Sequence, residues 1–163
     1  MNLRALLLGG LLLLSACAAR APLPAQMPTL GLPLQLHLQR TQAELSDDSL
    51  LVIQQEGPAL RWSQLDLIGM PLARLRLQDS QWQTDGFLAP NPAARELFAA
   101  LLFALTPSSE LPTLYPNAQA TVQGRSLGSR WAVRYRQPMD FTLELGQGLR
   151  YQVSPLPSEA SPP

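Results

Sequence analysis

The feature that most limits the fold of this chain is a two-residue alternation of apolar and polar side chains. The alternating runs lie at residues 34–39, 73–78, 130–136, 141–145 and 150–153. Because successive side chains of a strand point to opposite faces, this pattern predicts strands with one apolar and one polar face. Residues 50–53 are apolar on both faces, which predicts a central or doubly covered strand. Gly146-Gln147-Gly148 predicts a hairpin turn between the last two runs.

A single segment follows a helical pattern instead. Residues 92–105 contain strong helix formers, a proline in the first turn and Asn91 as a candidate cap. Apolar side chains cover almost the whole circumference of this helix, so it must be enclosed by other elements. We therefore predict a strand-rich α+β fold in which a strongly curved antiparallel sheet, an incomplete β-barrel, wraps an apolar helix.

The first residues predict an export signal. Arg4 precedes an apolar run at residues 5–14, which is too short for a bilayer span of about 20 residues. The run closes on Leu14-Ser15-Ala16-Cys17 and resembles the signal of bacterial lipoproteins. That resemblance implies cleavage after residue 16 and acylation of Cys17, and Ala18 after it implies the periplasmic face of the outer membrane. The alternative is an ordinary secretory signal with an incidental cysteine.

The sequence divides into four parts. Residues 1–16 form the signal peptide, 17–33 the lipidated cysteine and a proline-rich tether, 34–153 one folded domain and 154–163 a disordered tail. The two flanking segments are rich in proline and small residues, a composition that favours disorder. Twelve basic and twelve acidic residues balance, so we predict no nucleic-acid partner and no basic face that binds anionic lipid over its whole area. A single cysteine leaves the domain without a disulfide.

No combination of residues indicates catalysis. His37 is the only histidine, lies on the polar face of a predicted strand and lacks a second metal ligand at the usual spacing. Asp47 and Asp48 are adjacent, and we interpret them as turn residues. Gly124 and Gly128 lack the strand and helix that flank a phosphate-binding loop. We therefore predict that the protein is not an enzyme and uses no cofactor or metal.

The order of these parts resembles the lipoprotein-localisation (LolA/LolB-like) fold. Three stretches carry the resemblance: an apolar loop with glycine at residues 65–72, a tryptophan strand at 131–135, and closing strands from Pro138 with their glycine-containing hairpin. The chain is also similar to an uncharacterised family of bacterial lipoproteins, a domain of unknown function sometimes encoded near aryl-polyene biosynthesis genes. We favour this uncharacterised branch over the receptor branch.

The resemblance implies a lipid-anchored protein that binds acyl lipid or lipoprotein acyl chains in an apolar concavity, without covalent chemistry. A LolA-like periplasmic carrier is the candidate donor. The residues expected to line the cavity are Leu36, Leu51, Ile53, Leu60, Trp62, Leu75, Leu77, Leu101, Trp131, Val133, Phe141 and Leu143.

The alternative for these residues is a filled core, in a structural or assembly lipoprotein that docks another envelope protein. A third hypothesis, an accessory acyl-transfer enzyme, would require a polar pair in the cavity, which the sequence does not show.

A second site implied by the resemblance is a membrane or transfer loop. In the receptor branch an apolar side chain protrudes from this loop, and the matching position here is Ile68, flanked by Leu67 and Met70. Exposed apolar residues in a row indicate a partner or a membrane. The alternative is that Leu67 and Ile68 fold back onto the core.

Overall fold

The computed structural model describes residues 20–156, so the predicted signal and Cys17 lie outside the described range. Within that range the chain forms one ten-stranded antiparallel sheet, which is open. The predicted strand-rich antiparallel architecture is confirmed. The strands are β1 (Leu34–Gln42), β2 (Leu45–Glu56), β3 (Ala59–Leu65), β4 (Pro71–Gln78), β5 (Gln81–Thr84), β6 (Ala118–Ala120), β7 (Gly124–Leu127), β8 (Trp131–Gln137), β9 (Asp140–Glu144) and β10 (Arg150–Pro155).

The sheet consists of two meanders joined in its middle. The strand order is β5-β4-β3-β2-β1-β10-β9-β8-β7-β6. Where the meanders meet, β1 pairs with β10, for example Leu38 with Val153. The two edge strands, β5 and β6, are therefore consecutive in the chain, and the connection between them carries the helices.

The turns and strand faces follow the local sequence in most places. The predicted hairpin at Gly146-Gln147-Gly148 is confirmed, because β9 pairs with β10 and Leu145 N donates to Leu149 O (3.0 Å). Strand β2 is internal to the sheet, as predicted. Its Leu51 and Ile53 are fully buried, whereas Leu50 and Val52 on the other face are only half-buried.

The interpretation of Asp47 and Asp48 as turn residues is wrong. Both lie in β2, where Asp47 is opposite Arg40 and Asp48 is opposite Gln39. The turn instead occupies residues 43–44, with Ala43 in the left-handed region at a φ of 53°. An ion pair between Arg40 Nη1 and Asp47 Oδ2 (3.2 Å) lies along this hairpin.

Helix α1 (Pro92–Leu105) has the bounds that the sequence predicts. Its cap is Asn91, whose side-chain oxygen accepts from Ala94 N (3.0 Å). Residues 97–104 are all buried, whereas Pro92 and Ala93 at the start of the helix are exposed. A short second helix, α2 (Leu111–Leu114), follows it and was not predicted.

The described part of the expected tether, residues 20–33, packs along the domain. Leu23, Leu30 and Leu32 contact the hydrophobic core. Ser80 Oγ donates to Pro24 O (2.7 Å), and Thr29 N donates to Glu110 Oε2 (2.9 Å). Leucines among prolines supply apolar surface, and proline loses little conformational entropy on ordering.

The carboxy-terminal boundary also lies beyond the predicted one. Strand β10 continues to Pro155, and Leu156 N donates to Gln35 O (3.0 Å). The rest of the predicted tail lies outside the described residues.

Candidate functional site

The residues expected to line a cavity all belong to one hydrophobic core. None of the twelve is more than 5% exposed. The side chains of α1 occupy the space between them: Phe98 stacks on Trp62 with ring centroids 5.4 Å apart, and Phe103 lies 5.8 Å from Trp131. The structure therefore brings the predicted residues into one packed core, to which α1 contributes Leu101 itself.

The carboxy-terminal end of α1 is held by a buried arginine. Arg125 on β7 is only 9% exposed, and its Nη1 donates to Thr106 O (2.7 Å) and Phe103 O (3.2 Å). Its guanidinium lies 5.1 Å from the centre of the Tyr135 ring, a cation–π distance. Tyr135 Oη donates to Ala104 O (2.6 Å), and burial raises the pKa of Tyr135 to about 12.

The amino-terminal end of α1 is held by an ion pair. Glu96 Oε1 accepts from Arg130 Nε (2.8 Å) and Trp131 Nε1 (2.7 Å), while its Oε2 accepts from Arg130 Nη2 (2.6 Å). The hydrogen bonds from Arg130 hold the pKa of Glu96 below its ordinary value, against the opposing effect of desolvation. Both oxygens of this carboxylate are thus occupied.

The loop at residues 66–70, which we call the apolar loop, is a tight turn with outward-facing side chains. Asp66 Oδ1 accepts from Ile68 N (3.0 Å) and Met70 N (2.8 Å), and Asp66 N donates to Met70 O (2.9 Å). Gly69 has a φ of +88°, which an L side chain rarely adopts. Leu67, Ile68 and Met70 are 63%, 86% and 59% exposed, so they do not fold back onto the core.

Sequence reasoning missed a cleft beside the start of α1, which we call the amino-terminal cleft. It has a volume of about 810 Å³. Its lining comes from four separate segments and includes Arg20, Pro24, Trp82, Pro92, Arg95 and Arg130. None of the twelve predicted cavity residues lines it. No periodic pattern marks such a set of residues, and only the arginines could have drawn attention to it.

Residues 20–156 contain no cluster of three or more His, Cys, Asp or Glu side chains that could hold a metal ion. His37 Nε2 lies 2.8 Å from Asp48 Oδ1 on the partly exposed face of the sheet. No helix in this described range is long and apolar enough to span a membrane. Cys17 lies outside the range, so its acylation stays a prediction.

No protein-family model matches this chain, and a search of curated proteins gave no significant match. The structure defines an open antiparallel sheet and one apolar helix whose residues 97–104 are buried. The lipoprotein-localisation fold therefore stays a prediction from the sequence resemblance.

Proposed function

We propose that this protein is an outer-membrane lipoprotein, anchored through Cys17, that accepts acyl chains of lipids or lipoproteins at the apolar loop. The observation that carries the proposal is the exposure of Ile68, at 86%, on a loop that Asp66 fixes in one conformation. With Leu67 and Met70 beside it, Ile68 forms a contiguous exposed apolar patch, which indicates a surface that becomes buried in a complex.

The energetics suit transient contact. Burying an isoleucine side chain contributes about 1.5–3 kcal/mol, and Leu67 and Met70 add apolar area beside it. Because Asp66 already orders the loop, little conformational entropy is lost on binding. Durable membrane attachment would come from the acyl chains on Cys17, each buried CH₂ contributing about 0.8 kcal/mol.

We further propose that the sheet curves around α1 as a half-barrel. Supporting this, α1 contacts both meanders: Phe98 lies against Trp62 on β3, and Ala104 O accepts from Tyr135 on β8. In a flat sheet β3 and β8, five strand spacings apart, would be separated by about 24 Å. Phe98 and Ala104 are separated by only about 9 Å along the helix axis, and curvature of the sheet would bring both strands within reach of them. An acyl chain would enter the interior only when α1 shifts, and the apolar loop would make the first contact.

The test combines native mass spectrometry with a charged substitution. The chain beginning at Ala18 is purified without detergent and offered a fatty acid. We expect wild type to take up the acyl ligand and Ile68→Glu to bind it at least tenfold more weakly, because the lost burial corresponds to about 1.5–3 kcal/mol.

Val122→Glu is the matched control, since Val122 is fully exposed on the turn between β6 and β7. It should retain uptake, and both variants should keep the wild-type circular dichroism and melting temperature. Equal uptake by the two variants would contradict the role of the apolar loop.

A second candidate is a structural or assembly lipoprotein that docks another envelope protein. The filled interior favours it, because every predicted cavity residue is at most 5% exposed. A wild-type mass with no acyl uptake would support this candidate. In that case Ile68→Glu should abolish capture of the envelope partner, and Val122→Glu should not.

A further inference from the structure

The amino-terminal cleft carries an excess of positive charge. Three arginines line it, Arg20, Arg95 and Arg130, together with one carboxylate, Glu96. Glu96 is paired with Arg130 through two hydrogen bonds. No acidic residue within 20–156 forms a salt bridge with Arg20 or Arg95. Arg20 and Arg95 are therefore the two positive side chains through which the cleft can bind an anion.

Arg95 is placed to receive such an anion. It lies in the first turn of α1 and is half-buried, and its Nε is buried without a hydrogen-bond partner in the described chain. A guanidinium forms short, charge-assisted hydrogen bonds with phosphate or carboxylate oxygens. The positive end of the α1 dipole at the same place favours an anion further. Trp82 and Pro24 supply apolar surface beside these charges.

The position of Arg20 indicates where the anion comes from. Arg20 follows Cys17 by three residues, and three residues span at most about 10–11 Å. The headgroup layer on each side of a bilayer is about 5–7 Å thick. With Cys17 acylated at the membrane surface, the cleft would therefore lie within reach of phospholipid phosphates.

We propose that the amino-terminal cleft binds the phosphate of an anionic membrane phospholipid through Arg20 and Arg95. Such a contact would fix the orientation of the domain on the membrane. The inference rests on the membrane anchoring proposed above and is independent of acyl uptake at the apolar loop.

The test measures sedimentation of the chain beginning at Ala18 with phosphatidylcholine vesicles, with and without phosphatidylglycerol. This chain contains all of the described fold. We expect binding only to vesicles with phosphatidylglycerol. Arg95→Gln should bind them about fivefold more weakly, and Arg20→Gln with Arg95→Gln about 25-fold, since each arginine near an anionic surface contributes about that factor.

Arg134→Gln is the control of equal charge change, because Arg134 is exposed on β8, away from the cleft. Its binding should stay within about twofold of wild type. An equal loss in Arg134→Gln and Arg95→Gln would overturn the proposal in favour of general electrostatic attraction. Because Arg20 is exposed, Arg20→Gln alone gives the same comparison should Arg95→Gln fail to fold.

Two further measurements separate the ligand source and the two proposals. Inorganic phosphate is added to the vesicle-binding assay as a competitor. If it displaces the protein at the concentration of the lipid phosphate, the cleft binds a soluble anion and the lipid assignment is overturned. Acyl uptake by Arg95→Gln should equal that of wild type. If wild type takes up no acyl ligand but still needs Arg95 for vesicle binding, the function proposed for the loop fails and the cleft assignment stands.

Discussion

The two ends of α1 are held by different chemistry. At the amino-terminal end, Glu96 and Arg130 form a paired, partly exposed contact beside an open cleft. At the carboxy-terminal end, Arg125 is buried and its hydrogen bonds within the described chain go to the carbonyls of Phe103 and Thr106 and the hydroxyl of Ser108.

This difference indicates which end of α1 can move. Separating Glu96 from Arg130 exposes two charges that water can solvate, whereas withdrawing Arg125 leaves buried carbonyls without a donor. We therefore expect any displacement of α1 to begin at its amino-terminal end and to pivot about the end that Arg125 holds.

The largest effect is expected at the buried end. Arg125→Met keeps an apolar stem but removes the donors to Phe103 O and Thr106 O, and two unsatisfied buried carbonyls correspond to about 2–4 kcal/mol of lost stability. Chemical denaturation measures this change in the free energy of unfolding. Arg134→Met, at an exposed strand position, should stay within about 0.5 kcal/mol of wild type. If Arg125→Met and Arg134→Met lose equal stability, Arg125 does not hold the carboxy-terminal end of α1 and the two ends do not differ in this way.

An intermediate effect is expected at the amino-terminal end. Glu96→Gln weakens the contact with Arg130 and Trp131 and should lower stability by about 1–2 kcal/mol at neutral pH. The folded-state pKa of Glu96 is lowered from 4.5, so its contribution is present above pH 4.5 and is lost as the pH falls below that value.

Denaturation at several pH values checks this sign: the difference between wild type and Glu96→Gln should shrink as the solution is acidified. Glu144→Gln is the control. Glu144 pairs with a largely exposed Arg150, so the stability of this variant should differ little from wild type at any of these pH values. A difference that persisted unchanged in acid would show that the carboxylate charge contributes nothing.

The smallest loss of stability is expected from removal of the Tyr135 hydroxyl, which lies next to Arg125. Tyr135→Phe removes the hydrogen bond to Ala104 O and should cost about 1 kcal/mol. Because the folded-state pKa is raised from 10 to about 12, the contribution of protonated Tyr135 is present below pH 10 and is lost as the pH rises toward 12. Alkaline unfolding should therefore be less steep in Tyr135→Phe. An unchanged alkaline curve would mean that Tyr135 is already accessible to solvent.

Local sequence patterns predicted the elements that local interactions determine. The period-two runs became β1, β4, β8, β9 and β10, and residues 92–105 with the Asn91 cap became α1. Asp47 and Asp48 escaped prediction because no apolar alternation marks residues 46–49, and their strand is fixed by pairing across the hairpin.

The candidate sites were predictable to different degrees. The sequence pattern predicted which residues are buried. It did not predict whether free space remains between them, because that depends on how much of the interior the side chains of α1 fill. Residues 20–33 lie on the domain through contacts with distant residues, namely the packing of Leu23, Leu30 and Leu32 on the core and the hydrogen bonds with Ser80 and Glu110. The amino-terminal cleft combines four segments for the same reason, so no local pattern contains it.

The pairing of β1 with β10 has a consequence for the order of folding. Strands β1–β5 pair only with sequence neighbours, apart from this one contact, and can assemble early. The free edge of β1 pairs only with β10, the last strand of the chain. Contacts between residues so distant in sequence form slowly. Until β10 pairs with it, β1 presents an unpaired strand edge at Leu36 and Leu38. Such an edge can pair with another chain, so aggregation is a hazard at this stage of folding.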